Sequence, residues 1–248
     1  MTTVVTSTTA ILGHTSILAM IQSFSREYGL PVPTALQGTS DAGALQLREV
    51  AQTVGEYIWQ HSNWQQCART TNWVSLAGSD QGDVHVLCDE AMSSIIPRTF
   101  WDMTIRQPFE GPLSDLMWQS QTANNPAGPL YSFRVAGGRL LVSSNMPAGH
   151  NLSMIYKTRN WILSGGVPTT TFLTDADTCY FPDSLMKRGI KAFWLRTKQM
   201  PHALEFQLFE DLLLSEASLN IVRPILRLDG EGIAPQAGIL IPLGNWTV

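Results

Sequence analysis

The chain has 248 residues, 44% apolar and 15% charged, with a formal net charge of −4 and a pI near 5.7. That apolar content supplies a core and excludes a disordered chain, and the length holds one large domain or two small ones. A net acidic chain is not built to grip the outside of a nucleic acid, where phosphates demand clustered Lys and Arg, although a wall that DNA slides past is free to be acidic.

The charged fraction is low against roughly a quarter for ordinary globular domains, which favours burial in an assembly. Cys67, Cys88 and Cys179 are odd in number and widely spaced, so buried free thiols and a reducing cytoplasm are expected, not a disulfide framework.

In chain order, the Thr/Ser/Val mixture of residues 2–9 reads as extended, with no basic stretch ahead of an apolar run. No run approaches about 18 apolar residues, so neither a signal peptide nor a membrane span is expected. A first helix is predicted over 15–28, with Ile17, Ile21 and Phe24 on one face and Gly29 as its stop. A second opens at Ser40 or Asp41 and carries Leu47, Val50, Ala51, Val54, Tyr57 and Ile58 at helical spacing.

From about 65 to 177 the helical period gives way to short β-branched and aromatic runs between turn signals. Residues 73–76 and 84–87 read as a hairpin around Ala77-Gly78-Ser79-Asp80. The clearest hairpin joins 130–135 to 139–143, because Gly137 and Gly138 supply the positive φ that tight turns require. A further strand is predicted over 152–162. Phe100, Trp101, Phe109 and Trp118, flanked by Pro97, Pro108 and Pro112, form a rigid aromatic corner, with Arg98, Arg106 and Asp102 expected to pair locally.

The helical period returns over 183–219 as two helices joined by a short turn. Asp183 suits the orphan amides of the first, and Pro201 is expected at the first helical position of the second. Leu185, Phe193 and Trp194, then Leu204, Leu208, Phe209, Leu212 and Leu213, mark their apolar faces. Both ends of the chain should therefore pack together. Opposite charges segregate between the two helices: Lys187, Arg188, Lys191, Arg196 and Lys198 on one, Glu205, Glu210, Asp211 and Glu216 on the other. Such faces either meet within one chain or set the register of a contact between copies. On the second reading Lys187, Arg188, Lys191, Glu205, Glu210 and Asp211 are the interface candidates.

Residues 220–248 carry Pro224, Pro235 and Pro242 with four glycines, which opposes a third helix, yet they are too apolar for a solvated tail. Extended, they reach on the order of 95 Å, against a radius of gyration near ~18 Å for a compact chain of this length. Either Gly238 to Leu243 adds an edge strand to the chain's own β region, or an arm reaches another molecule. The second reading makes Arg223, Ile225, Leu226, Ile239, Leu240, Ile241, Leu243 and Trp246 the partner-binding residues.

The ordered set Ile95-Ile96-Pro97-Arg98-Thr99-Phe100-Trp101-Asp102, Arg106-Gln107-Pro108, Gly111-Pro112-Leu113-Ser114 and Trp118-Gln119 is distinctive. Together with the 133–141 hairpin, the strand over 156–161 and Phe181-Pro182-Asp183 opening a helix with Trp194, it resembles the head-to-tail adaptor proteins of tailed bacteriophages, across roughly residues 15–218. The resemblance implies a structural virion protein at the head–tail junction, made in the host cytoplasm. It forms a homo-oligomeric ring, expected to be dodecameric, that joins the portal protein to a downstream tail or nozzle protein. DNA would pass through the lumen without specific binding. The implied fold is α+β: an α-helical bundle from 1–64 and 179–219, a mostly β domain inserted at 65–178, and an extended arm at 220–248.

No cofactor is expected. His85 and Cys88 lack a second ligand pair at zinc-like spacing, and a half-buried strand explains them; His150 reads as a surface histidine in a turn. Two alternatives remain. Asp89-Glu90 and Asp175/Asp177 offer the carboxylates of a tail-associated peptidoglycan hydrolase, and eight Trp suit a carbohydrate- or receptor-binding module.

Overall fold

The computed structural model describes residues 14–124 and 131–220. The elements run α1 (Ile17–Glu27), α2 (Ala42–His61), β1 (Ala68–Val74), β2 (Gly78–Asp83), α3 (Val84–Leu87), β3 (Met92–Ile95), β4 (Trp101–Asp102), β5 (Gln107–Pro108) and α4 (Asp115–Asn124). They continue as β6 (Phe133–Ala136), β7 (Arg139–Met146), β8 (Asn151–Thr158), β9 (Ile162–Ser164), β10 (Val167–Thr169), β11 (Thr178–Cys179), α5 (Asp183–Thr197) and α6 (Ala203–Asn220). The fold is α+β, and every pairing between these strands is antiparallel.

Two apolar cores divide the side chains. The first joins Ile17, Ile21 and Phe24 of α1 and Leu47, Val50, Val54 and Ile58 of α2 to Leu185, Ile190 and Leu195 of α5 and Phe209 and Leu213 of α6. Both flanks of the chain thus share one interior. Local chemistry starts each helix: the Ser16 hydroxyl accepts from the Ala19 amide at 3.3 Å, and the Asp41 carboxylate accepts from the Gly43 amide at 2.9 Å. Two glycines let the layers close up. A Cβ on Gly55 would stand 2.0 Å from the Trp161 ring, and one on Gly189 would stand 2.4 Å from Val54 and 3.0 Å from Phe209.

The second core is built from Trp73, Phe100, Phe109, Phe133, Leu140, Val142, Leu152, Met154 and Tyr156. β8 is its central strand, flanked by β1 along its whole length and by β3 and β4 on the other side, with β5 beyond β4; β2, β7 and β6 form a second sheet. Phe100 and Phe109 of the aromatic corner stack at 3.9 Å inside this core, whereas Trp101 and Trp118 are half-buried. The division falls near residue 160: Trp161, Ile162 and Phe172, expected with the β region through 178, enter the helical core, where Phe181 joins them.

The structure corrects several local expectations. Residues 84–87 form a single helical turn, because Asp83 caps it through the His85 amide at 2.8 Å; β1 pairs instead with β8, Ala68 opposite Lys157 and Val74 opposite Asn151. The strand over 152–162 ends at Thr158, and β9 pairs with β10 and β11. The Gly137-Gly138 hairpin forms, both glycines at positive φ.

Pro201 lies two residues ahead of α6, whose first turn closes on the His202 carbonyl. Asp183 opens α5, but its carboxylate accepts from the amide and hydroxyl of Thr15, tying α5 to the segment before α1. On α6 the buried stripe is Phe209, Leu213 and Ala217, whereas Leu204 is 68% exposed.

Candidate interaction surfaces

The charged candidates of the helical hairpin fall into two groups. Lys191 reaches Glu205 at 3.0 Å and Glu27 at 3.5 Å, so this cluster holds α1, α5 and α6 of one chain together. Hydrogen bonds to Tyr28 and Glu205 hold its ammonium above the ordinary lysine range. Lys187 and Arg188 lie along a groove with Glu27, Ser184 and Leu212, and neither forms an ion pair among the described residues. Glu210 and Asp211 are exposed on α6; the Tyr57 hydroxyl lies 3.4 Å from Glu210, and Asp211 forms no ion pair among the described residues. The partner-binding candidates Arg223, Ile225, Leu226, Ile239, Leu240, Ile241, Leu243 and Trp246 lie outside the described residues.

At the far end of the β body, the turns after β1 and β4 and before β8 meet in a hydrogen-bonded tip. Asp102 is wholly buried. One carboxylate oxygen accepts from the amides of Thr104 at 2.8 Å and Ile105 at 3.2 Å, and the other lies 2.6 Å from His150 Nδ1. Asp102 therefore braces the turn it begins and holds the histidine ring, instead of pairing with Arg98 or Arg106. His150 is correspondingly a tethered side chain, 20% exposed, and not a free surface histidine.

Ser75 Oγ donates to the Pro147 carbonyl at 2.7 Å and accepts from the His150 amide at 3.0 Å. The Gln81 side chain accepts from the Leu76 amide and donates to the Leu76 and Gly78 carbonyls. On this braced backbone Val74, Leu76, Met103 and Ile105 stand 40–58% exposed. Spacing could not reveal this tip, since Asp102 and His150 are 48 positions apart.

At the opposite end of β8, Lys157 is buried. Its ammonium donates to the carbonyls of Trp59 at 2.8 Å and Ser62 at 2.7 Å, and sits 4.3 Å from the centre of the Trp59 ring. These carbonyls are the orphan acceptors of the α2 C-terminus, so one lysine of the β body caps a helix of the bundle. The Trp59 indole N–H returns a bond to the Thr158 carbonyl at 2.9 Å. Burial lowers the pKa of Lys157.

The remaining candidates serve the fold. Burial pushes the Cys67, Cys88 and Cys179 thiols up to about 12, as inert interior thiols require. No group of three potential metal ligands occurs among the described residues. Asp175 accepts from the Leu36 and Gln37 amides. Burial raises the Asp177 pKa, but bonds from Thr174, Ser164 and Leu173 outweigh it and hold the carboxyl below its usual range. Asp89 accepts from the Tyr156 hydroxyl at 2.7 Å. No described helix is long and apolar enough to cross a membrane. Compared with models of protein families and with curated proteins, the chain matches none.

Proposed function

We propose that this protein is a structural virion component, a head-to-tail adaptor whose copies form a ring between the portal and the next tail protein, with DNA passing through the lumen. The observation that carries the reading is the layout of the chain. Residues from both flanks build one helical core, the residues between them build a second, β-rich core, and this order is the one the sequence resemblance implies. α6 supports it further. Leu204, Leu214 and Leu219 stand 57–73% exposed on a helix whose opposite stripe is already buried, so the helix is apolar around much of its circumference. Such a helix belongs between packed elements.

In this reading residues 221–248, which follow α6 directly, grip the portal or a neighbouring copy through Ile225, Leu226, Ile239, Leu240, Ile241, Leu243 and Trp246, with Arg223 at their start. Deletion of these residues tests the arm. The truncated protein should keep its thermal unfolding transition and lose co-sedimentation with portal rings. Normal joining to portals after truncation would refute it.

A further inference from the structure

We infer that the β tip is a docking surface for the outer face of α6 in a second copy of this chain. The two patches match in chemistry. The tip offers Val74, Leu76, Met103 and Ile105 with the exposed Arg106, and Arg106 forms no ion pair among the described residues. Across the three stretches that make it, 74–79, 102–106 and 147–151, the single carboxylate is Asp102, which is buried. The tip is thus apolar, with Arg106 as its one exposed charged side chain. The face of α6 opposite its buried stripe carries Leu204, Asp211 and Leu214 at helical spacing, with Glu210 and Leu219 on its flanks, and is apolar and anionic.

Both patches stand exposed, so they do not meet within one chain. The Gln65 side chain donates to the Asn220 carbonyl at 3.0 Å, which places the end of α6 beside the start of β1, whereas the tip lies at the end of β1. A seven-residue strand separates the tip from Asn220, roughly 23 Å at about 3.3 Å per residue. A tip of each copy set on α6 of the next, without the reciprocal contact, is a heterologous arrangement of the kind that closes rings. The Lys187–Arg188 groove is another basic surface without an ion pair among the described residues, but its lining offers only the half-buried Leu212 to a neighbour's leucines. The tip is also pre-organised, since the bonds of Asp102, Ser75 and Gln81 fix its turns before any partner arrives. The inference supplies the contact for the ring proposed above but rests on the two patches alone.

Thiol cross-linking of the full chain tests it. Met103→Cys and Leu214→Cys chains are mixed and treated with a short bismaleimide, with the three native cysteines buried. The mixture should give a cross-linked heterodimer that neither variant gives alone. Arg106→Glu should lower its yield about tenfold, equivalent to roughly 1.4 kcal/mol, and adding Asp211→Arg on the other chain should restore it. Absence of the heterodimer, or its loss with Lys187→Glu/Arg188→Glu and not with Arg106→Glu, overturns the inference. Portal joining is read separately. If Arg106→Glu chains still form rings on portals, the tip contact is wrong and the adaptor reading survives. If cross-linking succeeds while the unaltered protein ignores portals, the adaptor reading fails and the contact stands.

Discussion

Lys157→Met isolates the link between the two cores. Methionine preserves most of the aliphatic stem and removes the ammonium that donates at 2.8 and 2.7 Å to Trp59 and Ser62. Two carbonyls then lose their donor at a site where the lysine is 6% exposed, and each unsatisfied acceptor costs about 1–3 kcal/mol. Opposing this, the variant no longer buries a charge, an effect of several kcal/mol before compensation by bonds. The balance is a net loss of about 2–3 kcal/mol, a fall in Tm of about 4–12 °C for a chain of this size.

The pH dependence fixes the sign independently. Burial lowers the Lys157 pKa below 10.5, so between the folded value and 10.5 the unfolded chain binds more protons, and this group's contribution to stability rises with pH across that window. The neutral amine still has hydrogens for both carbonyls. Urea unfolding of the two proteins at a series of pH values should therefore show a gap that widens between the folded pKa and pH 10.5. A variant as stable as the parent, or a gap that narrows with rising pH, would refute the assignment of Lys157 as a helix cap.

Two further substitutions probe packing and the tip. Gly55→Ala drives a methyl into the Trp161 ring and should destabilise by about 1–3 kcal/mol in urea unfolding; an unchanged midpoint would mean that α2 and Trp161 do not approach as described. Asp102→Ala strips the acceptor from two amides and from His150, a loss of about 2–4 kcal/mol, and should speed hydrogen exchange at Thr104 and Ile105 while leaving the β6–β7 hairpin protected. Unaltered exchange at those two amides would contradict the bracing role.

Helices and the Gly137-Gly138 hairpin were legible in the chain because their signals are local. Ile17, Ile21 and Phe24, or Val50, Val54 and Ile58, recur at steps that can only share a helix face, and Gly137-Gly138 can adopt positive φ without strain. Residues 84–87 misled because Val84, Val86 and Leu87 have strand-like composition, while the competing signal, Asp83 as a helix cap, is a single side chain. Pairing of β1 with β8 joins residues 77 to 89 positions apart, which no period encodes. The surfaces were harder still. Lys157 reads as an ordinary exposed lysine until Trp59 and Ser62 are placed against it, and Asp102 and His150 meet only once β4 pairs with β8. In the helical hairpin, segregated charge was visible, but whether it closes within a chain was not: Lys191 and Glu205 do, whereas Lys187, Arg188 and Asp211 find no ion-pair partner among the described residues.

The adaptor reading is tested most directly by negative-stain electron microscopy of the protein mixed with portal rings of a tailed phage. The account predicts a second ring of density, coaxial with the portal and present at one copy per portal subunit, that disappears when residues 221–248 are removed. Portal rings that remain bare in the presence of excess full-length protein would contradict it.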